Sequence, residues 1–364
     1  MIIVSLPDKA QKIKAFSGNK AKWCYLGKNI AKREKIAGIL REKNRFYFKG
    51  RLHGISEHFS REYIEFVAAL GKKQKNRLNW WASKFASKRK LHTDFYLLFC
   101  YKALATEILN KANANDMIIV FIDDPWLFSD IKREYKNKGI KFFGRPKLYL
   151  NKLSLCLRGI LRRFLFLVWF FAAKLVLRLY HKGERPKALE KGERAVAIVN
   201  PADNRTFTGG RYVNNFTPGL PELYEQNNIS SFYVYPVFFP LSEAGRIAKN
   251  KDILWPLIFD VKFSNLCKVV FDRWRPVLKG AGPNSIGGHD VSLLLAREWW
   301  LELSSAGFNM HLVLHGALDH FFKKDWCRSI IYAFENQSWE KMLCEAALKN
   351  KVRSVGYLHT SIWK

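Results

Sequence analysis

Acidic residues are scarce in this sequence: 31 Asp and Glu stand against 62 Lys and Arg, a formal charge of +31. Such an imbalance asks for a partner or surface of opposite sign, whether nucleic acid, anionic lipid or an acidic substrate. Cysteine is sparse too, and Cys24, Cys100, Cys156, Cys267, Cys327 and Cys344 show no CxxC or other ligand spacing. Neither a zinc ribbon nor a disulfide framework is indicated. Most sit among apolar neighbours, as in "LLFCY" and "KMLCEAA", the setting of reduced core thiols. "MIIVSLPDKAQK" reaches Pro7 and Asp8 too soon to resemble a signal peptide, so a cytosolic, reducing environment is expected. No GxGxxG or Walker loop is present, and no RNP, KH, zinc-finger or helix-turn-helix signature.

What is present is apolar mass and uneven charge. At 48% hydrophobic and 15% aromatic, the 364 residues hold ample material for packed cores, and two domains are expected. Residues 1–190 carry 41 Lys and Arg against 15 Asp and Glu, a net of +26, whereas residues 191–364 net +5. The electrostatic task therefore belongs to the first half.

Along that half, "MIIVSL" and "AKWCYLG" read as strands, and "DMIIVFID" as a buried strand ending in Asp123 and Asp124. "TDFYLLFCYKALATEIL" reads as a buried helix. In residues 72–90, Leu78, Trp81, Ala82 and Phe85 fall at i, i+3, i+4 and i+7, which predicts one helix. Strand, loop, helix, strand is the grammar of a parallel sheet, so residues 1–150 are expected to form a basic α/β domain.

Residues 151–189 differ in kind. Ten uninterrupted apolar residues, Phe164 to Ala173, are flanked by Arg162, Arg163 and Lys174. A spanning helix needs about 20 mainly apolar residues. This run fits a basic amphipathic helix at a membrane surface, with a buried inter-domain helix as the alternative. Trp80, Trp81, Arg162, Arg163, Phe164, Trp169, Phe170 and Lys174 are the expected lipid-surface residues, their aromatics set among aliphatics like interfacial anchors. Basic and aromatic residues also permit nucleic-acid binding, but stacking platforms do not need a ten-residue apolar run.

From about residue 190 a second α/β pattern begins. Three polar loops, "NPADNRTFTGGRY", "ENQSWE" and "YLHTS", fall where strands should end, the place where open α/β sheets bind ligands. Glu335 and His359, ending neighbouring strands, are candidates for a general base or a substrate-orienting pair. Ser338 is placed to cap the next helix. Gly209, Gly210 and Arg211 suit either a tight turn or an anion-binding one. His311 and His315 lie four apart, a spacing zinc ligands can have, but no Glu follows the first, and Gly316 suggests that the helix bends or ends there. No metal is expected.

"AVAIVN…GGRYVNNFTPGLPELYEQN…SFYVYPVF", with "YAFENQSWEKML…VRSVGYLHTSI", resembles the acceptor-side domain of bacterial surface-carbohydrate glycosyltransferases of the GT-B fold, the capsule and lipopolysaccharide type. The resemblance covers about residues 190–364 and rests on Glu335, Asn336, Trp339, Glu340, Gly356, Tyr357, His359 and Thr360. It implies a Rossmann-like acceptor domain and transfer from a nucleotide-sugar donor to a glycan or lipid-linked acceptor at the cytoplasmic face of the inner membrane. Glu335 or His359 would then act on the acceptor hydroxyl, and Gly209, Gly210, Arg211, Tyr212, Asn336, Tyr357 and Thr360 would shape the acceptor side. In that family a further domain binds the donor, and "YLHTSIWK" stands where the chain would cross to it. A missing donor domain, or a partner chain that supplies it, is therefore expected, as is no turnover by residues 1–364 alone. A non-catalytic membrane-associated scaffold is the competing reading.

Overall fold

The computed structural model describes residues 1–17, 21–74, 77–87, 93–111, 117–190, 194–199, 207–208, 210–213, 219–271 and 283–357. The chain is α/β with parallel sheets. It divides into two units. The first comprises Met1–Lys73, Lys88–Leu157 and Leu278–Leu301; the second comprises Gln74–Ser87, Arg158–Val277 and Glu302–Lys364. Both units are thus assembled from three stretches of chain, where the sequence reading expected successive blocks at 1–150, 151–189 and 190–364.

In the first unit, β1 (Ile2–Ser5), β2 (Lys22–Leu26), β3 (Ile118–Ile122) and β4 (Lys141–Phe143) form a parallel sheet in the order β2-β3-β1-β4. Their apolar runs are continuous rather than alternating because both faces of a parallel sheet are covered. Val4, Trp23, Leu26 and Ile119 to Ile122 are all fully buried. Around the sheet run α1 (Ile30–Leu40), the helix α2 (Phe95–Lys111), and α3 (Pro125–Tyr135). Helix α2 is apolar on nearly every side and buried accordingly. Asp124 caps α3 by accepting from the backbone N–H groups of Trp126 and Leu127, with Pro125 at the first helical position, where its missing N–H costs nothing.

Gly144 follows β4 at φ +124°, a backbone conformation that side-chain-bearing residues rarely adopt. A Cβ there would lie 2.8 Å from Leu6 Cδ1, because the Leu6 N–H to Phe143 carbonyl bond (3.0 Å) pulls the two segments together. Gly144→Ala is expected to destabilise the protein by about 2–4 kcal/mol, the sum of strain and overpacking. Thermal or urea denaturation checks it, and a change under about 0.5 kcal/mol, the size of an ordinary surface substitution, would contradict it.

Helix α4 (Leu148–His181) runs from the first unit into the second. In the second unit, β5 (Ala195–Val199), β6 (Ser231–Tyr235), β7 (Leu254–Pro256), β8 (Cys327–Ala333) and β9 (Arg353–Tyr357) form a parallel sheet ordered β9-β8-β5-β6-β7. Its core includes α5 (Phe263–Phe271), α6 (Ala306–Phe322) and α7 (Ser338–Lys349), together with Phe166, Phe170, Ala173 and Leu177 from one face of α4. No helix among the described residues is long and apolar enough to cross a membrane.

Three local expectations are corrected. The helix predicted over 72–90 is a short helix, Arg77–Ala82, followed by a 3-10 turn, Lys84–Ser87. It breaks because its backbone is used elsewhere: Ser338 Oγ donates to the Ser83 carbonyl at 2.9 Å, Asn336 to that of Ser87, and Lys341 to that of Ala86. Gly316 neither ends nor breaks α6, which continues to Phe322. A Cβ there would sit 2.8 Å from the Asn265 amide nitrogen, so the missing side chain serves the close approach of α5. Finally, the helix at Ser338 is not capped by that serine, whose hydroxyl goes to Ser83; the cap position is Gln337.

Candidate functional site

In the second unit the carboxyl ends of β9, β8 and β5 are neighbours at one edge of the sheet. Ala333 is in register with Tyr357, and the Phe334 N–H donates to the Tyr357 carbonyl at 2.8 Å. Glu335 therefore leaves β8 next to the end of β9. It is half-buried, and its Oε2 accepts from the Gln337 amide at 3.0 Å.

The turn is held from below by Glu340. This buried carboxylate accepts from the Glu335 backbone N–H at 2.8 Å and also bonds the N–H groups of Gln337 and Asn336. Three residues past Gln337, it is the acidic half of a capping box. Burial pushes its carboxyl above the usual range, and those three N–H groups pull it back.

Several expected site residues have structural duties instead. Asn336, at φ +58°, spends its amide on Ser87. Tyr212 is buried, packed 4.6 Å from the Tyr233 ring, and its backbone N–H is held by the Asn250 side chain. Gly210 gives its carbonyl to that same asparagine. Tyr357 is exposed. Gly209, His359 and Thr360 lie outside the described residues, and the same holds for the Arg211 side chain.

The lipid-surface set also needs correction. Trp80, Arg163 and Phe170 are buried in the second unit and cannot contact a bilayer. Arg162 and Lys174 donate to the carbonyls of Ser304 and Val261, both at 3.0 Å. Trp81 lies half-buried beneath Lys341, and Trp169 packs on Phe238 and Phe239. Phe164, 61% exposed, and Arg162 are the exposed members of the set. The exposed face of α4 includes Leu161, Phe164, Leu165, Val168, Phe171, Leu175 and Leu179. This stripe lies opposite the buried one, a distinction that a continuous apolar run does not reveal.

A cavity of about 230 Å³ opens where β5, β6 and β7 end, lined by Val199, Pro236, Phe238 and Leu257, by Met310, His311, Leu314 and Leu318 of α6, and by Trp339. Among the described residues, His311 is its one titratable lining group. Its Nδ1 lies 2.8 Å from the Ala82 carbonyl, which can only accept, so Nδ1 carries the proton and Nε2 holds a lone pair. Burial, with the charge of Lys84 adding to it, lowers the imidazole pKa, so the ring is neutral at pH 7 and able to accept a proton. The stripe Met310, His311, Leu314, Leu318 was legible as a helix face, but not what it faced.

Two other polar groups of α6, His320 and Asp319, find separate partners. His320 pairs with Asp260 at 3.0 Å, and Asp319 meets Lys323, Lys349 and Asn350. No group of three or more ligating side chains that would hold a metal ion occurs among the described residues. Compared with known proteins, the chain matches no protein-family model, no curated protein and no solved structure.

Proposed function

We propose that this chain works in surface-polysaccharide biosynthesis as the acceptor-side part of a GT-B glycosyltransferase, with the second unit as its Rossmann-like acceptor domain. It would transfer a sugar from a nucleotide-sugar donor to a glycan or lipid-linked acceptor at the cytoplasmic face of the membrane. The donor belongs to a donor domain or partner chain, as the resemblance implies. The observation that carries the reading is the pairing of the β8 and β9 ends, which sets Glu335 beside Tyr357, the residue from which the chain goes on to His359. Those residues are among the ones that carry the resemblance, and a carboxylate at that sheet edge suits activation of an acceptor hydroxyl. His311 is a further base within the same unit.

The exposed apolar face of α4 and the excess of Lys and Arg support a peripheral membrane location. A polybasic surface gains about 1 kcal/mol per well-placed cation on an anionic leaflet.

The test uses membranes of the source cell, with the gene deleted and the wild-type or variant chain restored. Supplied with a panel of tritiated nucleotide sugars, wild-type membranes should label lipid-extractable glycan. Glu335→Ala, His359→Ala and His311→Gln are each compared with wild type, and at least one is expected to lose tenfold or more. Activity near wild type in all three would sink the assigned roles. No labelling with any donor, alongside flotation with anionic vesicles, would favour the scaffold.

A further inference from the structure

The first unit has a ligand cleft of its own, unanticipated by the sequence reading. The connection out of β1 runs past β3 to β2, whereas the connection out of β3 runs past β1 to β4. Adjacent strands whose connections leave in opposite directions create a crevice at their carboxyl ends, where open α/β sheets bind ligands. An open cleft of about 910 Å³ lies there, lined by Pro7 and Asp8 after β1, Asp123 and Pro125 after β3, Arg145 to Lys147 after β4, and Lys32 and Lys35 of α1. Two of its walls are stiff. Pro7 and Pro125 each open a helical turn, and the close contact of Gly144 with Leu6 fixes where the Arg145–Lys147 segment passes.

The charges in the cleft decide what fits it. Lys32 is paired with Asp123 at 2.6 Å. Lys35, Arg145 and Lys147 have no ion-pair or hydrogen-bonding side-chain partner among the described residues, yet they converge on one cleft from two separate segments. Three uncommitted cations suit a dianion, and a phosphate suits them better than a single carboxylate. Asp8 and Asp123 line the same space. Asp123 is held in place, taking Lys32 on Oδ1 and the Tyr25 hydroxyl on Oδ2 at 2.9 Å. Carboxylates beside a phosphate site repel a continuous polyphosphate backbone but accept hydrogen bonds from hydroxyl groups.

We propose that this cleft binds a phosphorylated sugar, with its phosphate on Lys35, Arg145 and Lys147 and its hydroxyls on Asp8 and Asp123. The site lies wholly within the first unit and does not depend on the transferase reading of the second.

Calorimetric titration of the full chain tests it, with a panel of hexose 1-phosphates, inorganic phosphate, free glucose and a single-stranded oligouridylate as probes. At least one hexose 1-phosphate should bind at one per chain and at least tenfold more tightly than inorganic phosphate, with no binding of glucose. Lys35→Glu with Arg145→Glu should weaken it by about a hundredfold, one decade for each lost charge-assisted contact. These side chains are exposed, so circular dichroism and the melting temperature should stay at wild type. Asp8→Asn should reduce sugar-phosphate affinity toward that of inorganic phosphate and leave the latter unchanged. Absence of binding, or affinity indifferent to the double charge reversal, would overturn the proposal. So would an oligouridylate that displaces the sugar phosphate at lower concentration, which would mark a nucleic-acid groove.

Discussion

Lys102→Met is expected to cost the first unit about 3–5 kcal/mol, the loss seen when one partner of a buried ion pair is removed. Lys102 is fully buried in α2, and its ammonium sits 2.8 Å from Asp130 of α3, itself fully buried. Glu134 lies 3.2 Å away, and the Asp290 backbone carbonyl accepts a third bond. One ammonium thus joins two helices and the short Ser285–Asp290 hairpin that comes from far along the chain. Methionine matches its length but offers no positive charge. Asp130 would be left with Arg133, which is half exposed and shared with Asp290.

The sign of the pH dependence follows. Burial already pushes the Asp130 carboxyl above its ordinary value, against the pull of Lys102. Without that pull the folded-state pKa rises further above the unfolded one, so the variant gains stability as pH falls and the carboxyl takes up a proton. Urea denaturation should therefore find a larger deficit at pH 8 than at pH 5. Lys102→Met with Asp130→Leu should recover much of the loss, since an apolar pair of similar volume replaces buried ions at little cost. A single-variant deficit under about 1 kcal/mol would place the pair among ordinary surface bridges.

The strands were readable because burial on both faces turns a parallel strand into an unbroken apolar run; "AVAIV" and "IIVFI" announce themselves. Their order was not. Nothing local in "MIIVS" says that a strand over a hundred residues away will pair with it, as Ile3 does with Ile119. The readings that failed share one cause, long-range use of the backbone or of a helix face. Residues 72–90 have a sound helical period, yet Ser338, Asn336 and Lys341 claim three of the carbonyls, and those lie some 250 residues on. Phe170 and Phe171 are equally apolar in sequence, and only the core beneath α4 decides that the first is buried and the second exposed. At the candidate site the Glu335 turn was legible from its composition. The duties of Asn336 and Tyr212 were not, because Ser87 and Asn250 are what they serve. His311 stands out in the sequence for its spacing to His315, whereas its tautomer is set by the Ala82 carbonyl and its surroundings by the cavity.

Removing the charge of Glu302 should stabilise the protein, and only at high pH. This side chain is 5% exposed; one carboxylate oxygen accepts from the Lys84 N–H at 2.8 Å, and the other, Oε2, has no hydrogen-bond partner among the described residues. Burial pushes its carboxyl up to about 7, with the Lys84 N–H and the Lys84 charge pulling weakly the other way. An unfolded Glu titrates near about 4.3. Between those two values the folded chain binds a proton that the unfolded chain has released, so stability is full below the lower value and falls as pH rises through the upper one. The whole window amounts to about 4 kcal/mol at roughly 1.4 kcal/mol per pKa unit. Glu302→Gln keeps an oxygen for Lys84 and puts neutral N–H groups where the protonated acid would carry its proton. Urea denaturation of the two proteins should agree near pH 4 and separate by pH 8, with the glutamine variant about 3–4 kcal/mol more stable. Equal differences at both pH values, or a less stable variant at pH 8, would mean that the carboxylate has a cationic partner in solution. The Lys84 N–H that Glu302 binds lies two residues from the Ala82 carbonyl that orients His311. Ionisation of Glu302 should accordingly perturb the His311 Nδ1 proton resonance in wild type and leave it unmoved in Glu302→Gln, which joins the stability prediction to the tautomer on which any basic role of His311 depends.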